Sequence, residues 1–177
     1  MGAHEDGRHD EIDNYEDVSV YTLDDSTEKE LLEAQNELTF IWSNREGWPV
    51  GVIMSYVFRD GRFWCTASSQ RKRVAAVKRD PRVSLAITSK GSKLGANKAL
   101  TYKGTCVIRE DEETKRWFYP ALAHAIHTDD ADHARRFARF LDSPRRVIFE
   151  ITPLQRIAYD GAKMRAATAQ SPAFTED

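Results

Sequence analysis

Two short β-prone runs joined by a tight turn constrain the fold of this chain more than any other feature. Apolar residues alternate through Val50–Phe58, and a second run, Arg62–Ala67, follows directly after the turn at residues 59–61. Asp60-Gly61 between two such runs is a strong signal for a hairpin loop. Both faces of the first run are mostly apolar, as in a barrel strand that a ligand or partner covers. The sequence therefore predicts an antiparallel hairpin at the centre of the fold.

The remaining apolar patterns predict more hairpins, with helices at their ends. The expected strands are 38–42, 83–87, 98–109, 145–151 and 154–159, and the expected helices are 27–37, one between Ser69 and Pro81, and a pair over 111–141 broken near Thr128. Thr27 and Glu30 form a plausible capping box for the first helix. Gly104 inside the long strand predicts a bulge or a close backbone approach. This order predicts a mainly β (α+β) fold, a small antiparallel barrel with flanking helices.

Charge is distributed unevenly along the 177 residues. Residues 1–25 hold nine acidic and one basic residue, which predicts a disordered acidic tail. We expect one folded domain at 26–162, followed by a loose polar and Ala-rich end at 163–177. Residues 59–103 contain twelve Lys or Arg and only two acidic residues. A basic middle in a folded body favours an anionic ligand.

Cysteine usage and hydropathy indicate the compartment. Only Cys65 and Cys106 occur, far apart in sequence, so a disulfide framework is not expected. No apolar run reaches the length needed to span a bilayer, and the acidic N-terminus has no apolar stretch. We therefore expect a cytoplasmic protein with no membrane partner.

The segment Thr66–Arg73, with the sequence TASSQRKR, carries the clearest chemical signal. A strand ends there and a helix begins, so free backbone N–H groups and the helix dipole favour an anion. Arg71 and Arg73 add planar donor forks that match phosphate oxygens. Two other interpretations are a solvated basic helix face and a surface that binds RNA backbone. Because no RRM, KH or helix-turn-helix pattern occurs, we expect no nucleic acid partner.

Three histidines, His124, His127 and His133, lie among aspartates in the helical pair. A metal or haem site is conceivable from these residue types. Their spacing matches no H-E-x-x-H motif, and the aspartates are typical of a helix start. We therefore predict a helix junction here and no metal site.

Several segments in order resemble the pyridoxamine 5′-phosphate oxidase-like split-barrel family. They are Gly47–Val50, Gly61–Thr66, Arg71–Arg73, Arg79–Leu85 and Phe149–Ile157. The resemblance covers about residues 28–160. It implies a split barrel of the FMN-binding type and a homodimer. It also implies flavin mononucleotide (FMN) or the deazaflavin coenzyme F420 at the subunit interface.

The resemblance also suggests which residues contact the cofactor. By position, the phosphate would lie against the strand end and helix start, at Thr66, Ala67, Ser68, Arg71, Lys72 and Arg73. The ring would lie along Val52, Ile53, Met54 and Ser55. Lys98 takes a position near the ring where the oxidase typically has Gln, and Tyr159 falls near an aromatic residue that the partner subunit contributes. The family usually has Lys where this chain has Arg73, which keeps the charge and widens the donor fork.

The resemblance therefore implies an oxidoreductase that transfers a hydride to or from a small conjugated organic substrate. Such a cofactor carries the hydride itself, so no catalytic side chain is assigned. The oxidase's full substrate-binding set is absent, and oxidation of pyridoxamine phosphate is not predicted. The alternative function is a non-catalytic FMN- or haem-binding protein of stress or storage.

Overall fold

A computed structural model of the chain describes residues 18–95 and 97–170. Over these residues the chain forms a short 3₁₀ helix at Val18–Val20, five α-helices and seven strands. In chain order the elements are α1 Asp25–Ala34, β1 Glu37–Ser43, β2 Pro49–Ser55, β3 Val57–Arg59, β4 Arg62–Ser68, α2 Lys72–Arg79, β5 Arg82–Thr88, β6 Lys98–Arg109, α3 Glu112–Ile126, α4 Ala131–Leu141, β7 Arg146–Asp160 and α5 Gly161–Gln170.

All seven strands belong to one antiparallel sheet in the order β2-β1-β5-β6-β7-β4-β3. Its two edge strands, β2 and β3, are separated in the chain by Tyr56 alone, so the sheet must curl until its edges meet. The predicted antiparallel split-barrel fold with flanking helices is thereby confirmed. The hairpin at Asp60-Gly61 is confirmed too, because both residues have the positive φ that such a loop requires.

The run Val50–Phe58 is two strands, and its prediction as one strand is wrong. The backbone N–H of Tyr56 donates to Asn36 O at 2.9 Å, on the β1 side. The next residue, Val57, pairs with Trp64 of β4. Apolar alternation continues through this change of partner, which is why the sequence pattern conceals it.

Strand β7 is continuous from Arg146 to Asp160, although Pro153 led us to predict two strands. Gly104 of β6 pairs with Pro153, and the register shifts between Lys103 and Gly104. Leu154 is the extra residue of this bulge. Proline lacks a backbone donor and is tolerated at a bulge, so the ladder resumes beyond it. The predicted bulge at Gly104 is confirmed.

Aromatic and aliphatic side chains fill the barrel. Phe40 and Phe149 stack there with ring centroids 5.2 Å apart. A second apolar cluster lies between the sheet and helices α3 and α4 and includes Trp64, Phe118 and Ile148. Side chains of β4 and β7 therefore alternate between the barrel interior and the face under α3.

The N-terminal boundary differs from the prediction at residue 25. Leu23 is 1% exposed, and Asp160 donates its N–H to Tyr21 O at 2.7 Å. Helix α1 begins at Asp25, and its cap is Asp24, which accepts from Thr27 N, rather than the predicted Thr27 capping box. Residues 18–25 thus pack on the domain, because Leu23 supplies an apolar contact that acidic composition alone did not reveal. The rest of the predicted tail, residues 1–17, lies outside the described residues.

The C-terminal end also differs from the predicted loose segment. Residues 161–170 form helix α5, with Gly161 buried. Lys163 Nζ donates to Thr22 O at 2.8 Å, which ties α5 to the N-terminal segment. Residues 171–177 of the predicted loose end lie outside the described residues.

We expect Leu23→Ala to lower the free energy of unfolding by about 2 kcal/mol, near the low end for a buried leucine, because a peripheral segment can partly collapse around the cavity. Urea unfolding followed by tryptophan fluorescence measures this change. Val20→Ala is the matched control, since Val20 is 55% exposed. Equal stability of the two variants would show that Leu23 contributes nothing to the core.

Within the part of the chain that the structure describes, no helix is both long and apolar enough to cross a bilayer.

Candidate functional site

The two strands that meet where the sheet curls closed leave an open seam. Strand β2 pairs with β1 along its whole length, and Cys65–Ser68 of β4 pair with β7. Within residues 18–95 and 97–170, the facing edges of β2 and this half of β4 have no strand partner. Their backbone N–H and C=O groups are therefore available to a ligand. We call this gap the β2–β4 seam.

The predicted ring and phosphate residues face each other across this seam. Strand β2 lies beside β4, and Val57 pairs with Trp64. Extended past that pair, the same register would set Ser55 near Thr66 and Ile53 near Ser68. The structure thus brings together two segments that the sequence analysis placed in one site.

Side chains of β2 point alternately into the barrel and away from it. Met54 is buried in the barrel core, and Val52 packs against that core. Ile53 lies on the opposite face and is 64% exposed. A planar ligand therefore has access to the open backbone edge and one face of β2, not to all four predicted side chains.

The N-terminus of α2 opens onto the end of β4. Helices α1, α3 and α4 each begin at an aspartate whose carboxylate accepts a backbone N–H. Helix α2 begins instead after Arg71, and no side chain caps it. The predicted start near Ser69 is wrong by three residues, because Ser69 N donates to Arg145 O at 2.7 Å and stays with the sheet. The first N–H groups of α2 therefore lack a side-chain acceptor.

Arg73 is the most buried of the three cationic residues at the start of α2. Its Nε is buried and has no hydrogen-bond partner among the described residues. Burial, and then the nearby Arg71, lower the pKa of the Arg73 guanidinium. Two neighbouring guanidiniums with an unpaired buried donor are stabilised by an anion. These residues therefore fit a phosphate-bearing ligand.

Thr66 and Ser68 are hydroxyl residues of the segment Thr66–Arg73. They lie on the face of β4 that α3 covers. Thr66 Oγ1 donates to Val147 O at 2.8 Å, which leaves its lone pairs free to accept. Ala67 is buried in the barrel core, so only its backbone can contact a ligand. Ser68 is half-buried at the end of the strand. Arg71 and Lys72 are exposed.

Sequence analysis missed two residues beside Ser68. Arg146 pairs directly with Ser68 across β4 and β7, and Tyr119 of α3 lies near Thr66 and Arg146. The only signal for Arg146 was the pair of arginines that begins the predicted strand 145–151. Nothing in the sequence indicated that this strand would lie beside β4.

Lys98 and Tyr159 lie at the far end of the sheet from Ser68. Lys98 Nζ is 3.7 Å from Asp160 Oδ1, and both side chains are largely buried. Tyr159 Oη donates to Met164 Sδ at 3.0 Å. Tyr159 lies thirteen positions after Arg146 along β7, or roughly 40 Å of extended strand. Within one chain these two residues do not join the seam.

Two grooves elsewhere on the surface have little overlap with the predicted site. The larger, of about 590 Å³, lies on the outer face of the sheet near Ser84, Lys103 and Leu154, and none of the predicted residues lines it. The smaller, of about 370 Å³, lies between α2 and the β1–β2 turn and includes Lys72. We place the site at the seam because its open strand edge leads to the N-terminus of α2 and the arginines there.

The histidine cluster sits at the junction of α3 and α4. His127 and His133 have ring centroids 4.1 Å apart, and Asp130 caps α4 by accepting from His133 N. The helix break predicted near Thr128 is confirmed. Among residues 18–95 and 97–170, no three His, Cys, Asp or Glu side chains are grouped to hold a metal ion.

Comparison with known families places most of the chain in a family. The model of the family described as pyridoxamine 5′-phosphate oxidase matches residues 26–158, which is most of the chain and contains the whole seam. No curated protein matches the chain significantly.

Solved structures share the architecture at low sequence identity. A conserved hypothetical protein from Mycobacterium tuberculosis is 16% identical, with a TM-score of 0.71, over 82% of this chain and 89% of its own. The haem storage protein of Vibrio cholerae is 14% identical, with a TM-score of 0.56, over 75% and 92% of the two chains. An F420 reductase is 15% identical, with a TM-score of 0.51, over 73% and 94%. At these identities the comparison establishes the shared fold.

Proposed function

Because the chain belongs to the pyridoxamine 5′-phosphate oxidase family, we propose that it binds FMN or coenzyme F420 at the β2–β4 seam and acts as an oxidoreductase. One observation carries this proposal: the open seam adjoins an uncapped helix N-terminus where Arg73 Nε is buried without a partner. A flat ring beside a phosphate matches this arrangement of backbone edge and cations. Similarity to an F420 reductase supports the deazaflavin as one of the two cofactors.

The bound cofactor would supply the hydride chemistry, and the protein would bind and orient it. Arg71, Arg73 and the N-terminus of α2 hold the phosphate end. The open edge of β2 lies along the ring and supplies backbone donors and acceptors. Ser55 and Thr66 are the hydroxyl residues on the seam. The predicted seam residues include no carboxylate or imidazole, so we assign no general acid or base. The substrate of the proposed reaction is a small conjugated organic molecule.

We further propose that the protein is a homodimer. One cross-strand row on the outer face of the sheet consists of small and apolar residues, namely Ile53, Thr39, Ala86, Thr101 and Ile157. The residues at its two ends, Ile53 and Ile157, are 64% and 53% exposed, and Leu154 nearby is 70% exposed. Such a row is typical of an interface. A two-fold partner would cover it and could bring Tyr159 or Lys98 of the second subunit to the seam.

Light scattering is expected to give twice the mass of one chain at micromolar concentration. Ile157→Asp should shift the protein to monomer, because it places a charge within the proposed interface. Phe140→Asp is the control, since Phe140 is 71% exposed on α4 and is not part of this row. A monomeric wild type would contradict the dimer, and so would an Ile157→Asp variant that stays dimeric.

An absorbance spectrum of the purified protein, followed by titration with FMN, F420 and haem, tests the cofactor. We expect FMN or F420 to bind, and the reduced form to be reoxidised by a conjugated organic acceptor. Haem binding without flavin binding would favour the storage function instead, which the similarity to a haem storage protein makes the second candidate. Binding of neither ring cofactor below about 1 mM, which is only ~4 kcal/mol of affinity, would reject the proposal.

A further inference from the structure

The side chain of Tyr119 ends in a buried hydroxyl that has no hydrogen-bond partner within residues 18–95 and 97–170. Tyr119 is 2% exposed, and the centroids of its ring and the Phe118 ring are 5.7 Å apart. Its hydroxyl lies near Thr66, but the two form no hydrogen bond of acceptable geometry. Burial raises the pKa of Tyr119, so the hydroxyl remains a donor at neutral pH. Buried polar groups in native proteins are almost always paired by protein, water or a ligand.

A second unpaired donor lies on the face of the sheet that α3 covers. Arg146 Nε is also buried without a partner in the part of the chain that the structure describes, and Arg146 acts electrostatically on Tyr119. Arg146 lies directly opposite Ser68 on the adjacent strand, where facing residues have Cβ atoms about 5 Å apart. Two unpaired donors and the Ser68 hydroxyl therefore lie together between β4, β7 and α3.

The charges around this group favour an anion. Besides Arg146, Tyr119 faces Lys115 and Asp142. Lys115 Nζ is paired with Glu112 Oε1 at 2.6 Å, and Asp142 is exposed. The guanidinium of Arg146 has no carboxylate of its own among the described residues. A ligand that satisfies several donors beside a guanidinium carries several acceptor oxygens and negative charge.

We infer that Arg146 and Tyr119 bind a phosphate group, which they reach from the α3 side of Ser68. This inference rests on the proposed function in taking that phosphate to belong to the cofactor. The same donors would also bind free inorganic phosphate. Separate titrations with inorganic phosphate and with the cofactors distinguish these two sources of the phosphate group. Arg146 and Tyr119 thus form a second wall of the phosphate subsite, opposite the wall made by Arg71 and Arg73.

Calorimetric titration of the full chain with inorganic phosphate, and separately with FMN and F420, tests the inference. We expect Arg146→Gln to weaken phosphate binding about 10- to 100-fold and Tyr119→Phe about 10-fold, the range for hydrogen bonds to a charged group. Arg145→Gln is the matched control. It removes the same charge from the neighbouring residue, whose side chain is exposed. Its effect should stay below about threefold.

Thermal unfolding excludes a purely structural explanation. Tyr119→Phe removes only the unpaired hydroxyl, so the melting temperature should hold or rise while phosphate affinity falls. Wild-type affinity in the Tyr119→Phe and Arg146→Gln variants would overturn the inference, as would a wild type that binds no phosphate. Cofactor binding that both variants retain in full would overturn it and leave the proposed function standing. Phosphate binding that depends on Arg146 without any cofactor binding would support it and reject the proposed function.

Discussion

Arg71→Ala combined with Arg73→Ala is expected to weaken cofactor binding by about 10²- to 10⁴-fold. Each guanidinium would make a charge-assisted hydrogen bond to the phosphate, worth about 1.5–3 kcal/mol. Two such bonds amount to ~3–6 kcal/mol, which converts to that range of affinity. Arg71→Ala alone should cost about 10- to 100-fold, and Arg71→Lys should recover part of this, because charge remains but the planar fork is lost. The two residues share one ligand, so their effects need not add.

The fold of the double variant should survive. Arg71 is exposed, and Arg73 is partly buried beside it, where burial and then the nearby Arg71 lower the pKa of Arg73. Removing both charges creates no cavity in the apolar core. We expect an unchanged or slightly higher melting temperature. A large drop would show that the arginines hold the structure together rather than bind a ligand.

Lys78→Ala is the matched control for the single variants. Lys78 is an exposed cation in the last turn of the same helix. Its removal changes the net charge by the same amount and leaves the helix N-terminus intact. Titration at two salt concentrations separates local from long-range effects, because exposed charges are screened within about 10 Å at 0.1 M salt. Equal losses in Lys78→Ala and Arg71→Ala would reject a specific phosphate site.

Local patterns predicted most of the elements correctly. The strand Lys98–Arg109 has its predicted ends, and the hairpin at Asp60-Gly61 lies where turn chemistry places it. These features depend on alternation and on positive φ, which neighbouring residues determine. The C-terminal helix over 161–170 was missed, because its apolar face is weak and its ends are held by contacts distant in sequence, such as that between Lys163 and Thr22.

The site was predicted only in part, for a physical reason. Thr66–Arg73 can be identified locally, because a strand end followed by cations needs no other segment to attract an anion. Arg146 and Tyr119 reach Ser68 only through the pairing of β4 with β7 and the packing of α3. The seam itself exists because the chain changes its partner strand at Tyr56, from β1 before this residue to β4 after it. Long-range pairing of this kind leaves no periodic trace in the sequence.

Gly104→Ala tests the bulge that joins the two longest strands, β6 and β7. We expect it to lower the free energy of unfolding by about 3 kcal/mol or more, at the upper end for overpacking in a close-packed interior. A Cβ at residue 104 would lie 2.5 Å from the backbone oxygen of Thr152 and 3.3 Å from a side-chain carbon of Ile151. A backbone carbonyl inside a paired strand cannot rotate away as a side chain can, so the ladder itself must shift.

Gly51→Ala is the control for this prediction. Its Cβ would meet the Thr39 Cγ2 methyl at 3.1 Å, which a small side-chain movement relieves, and alanine costs less backbone entropy in a strand than glycine. Its effect should stay below about 1 kcal/mol. Urea unfolding of both variants measures the difference. Similar stabilities would mean that β7 accommodates the added methyl group by moving at Leu154, and that the close approach at Gly104 does not constrain the bulge.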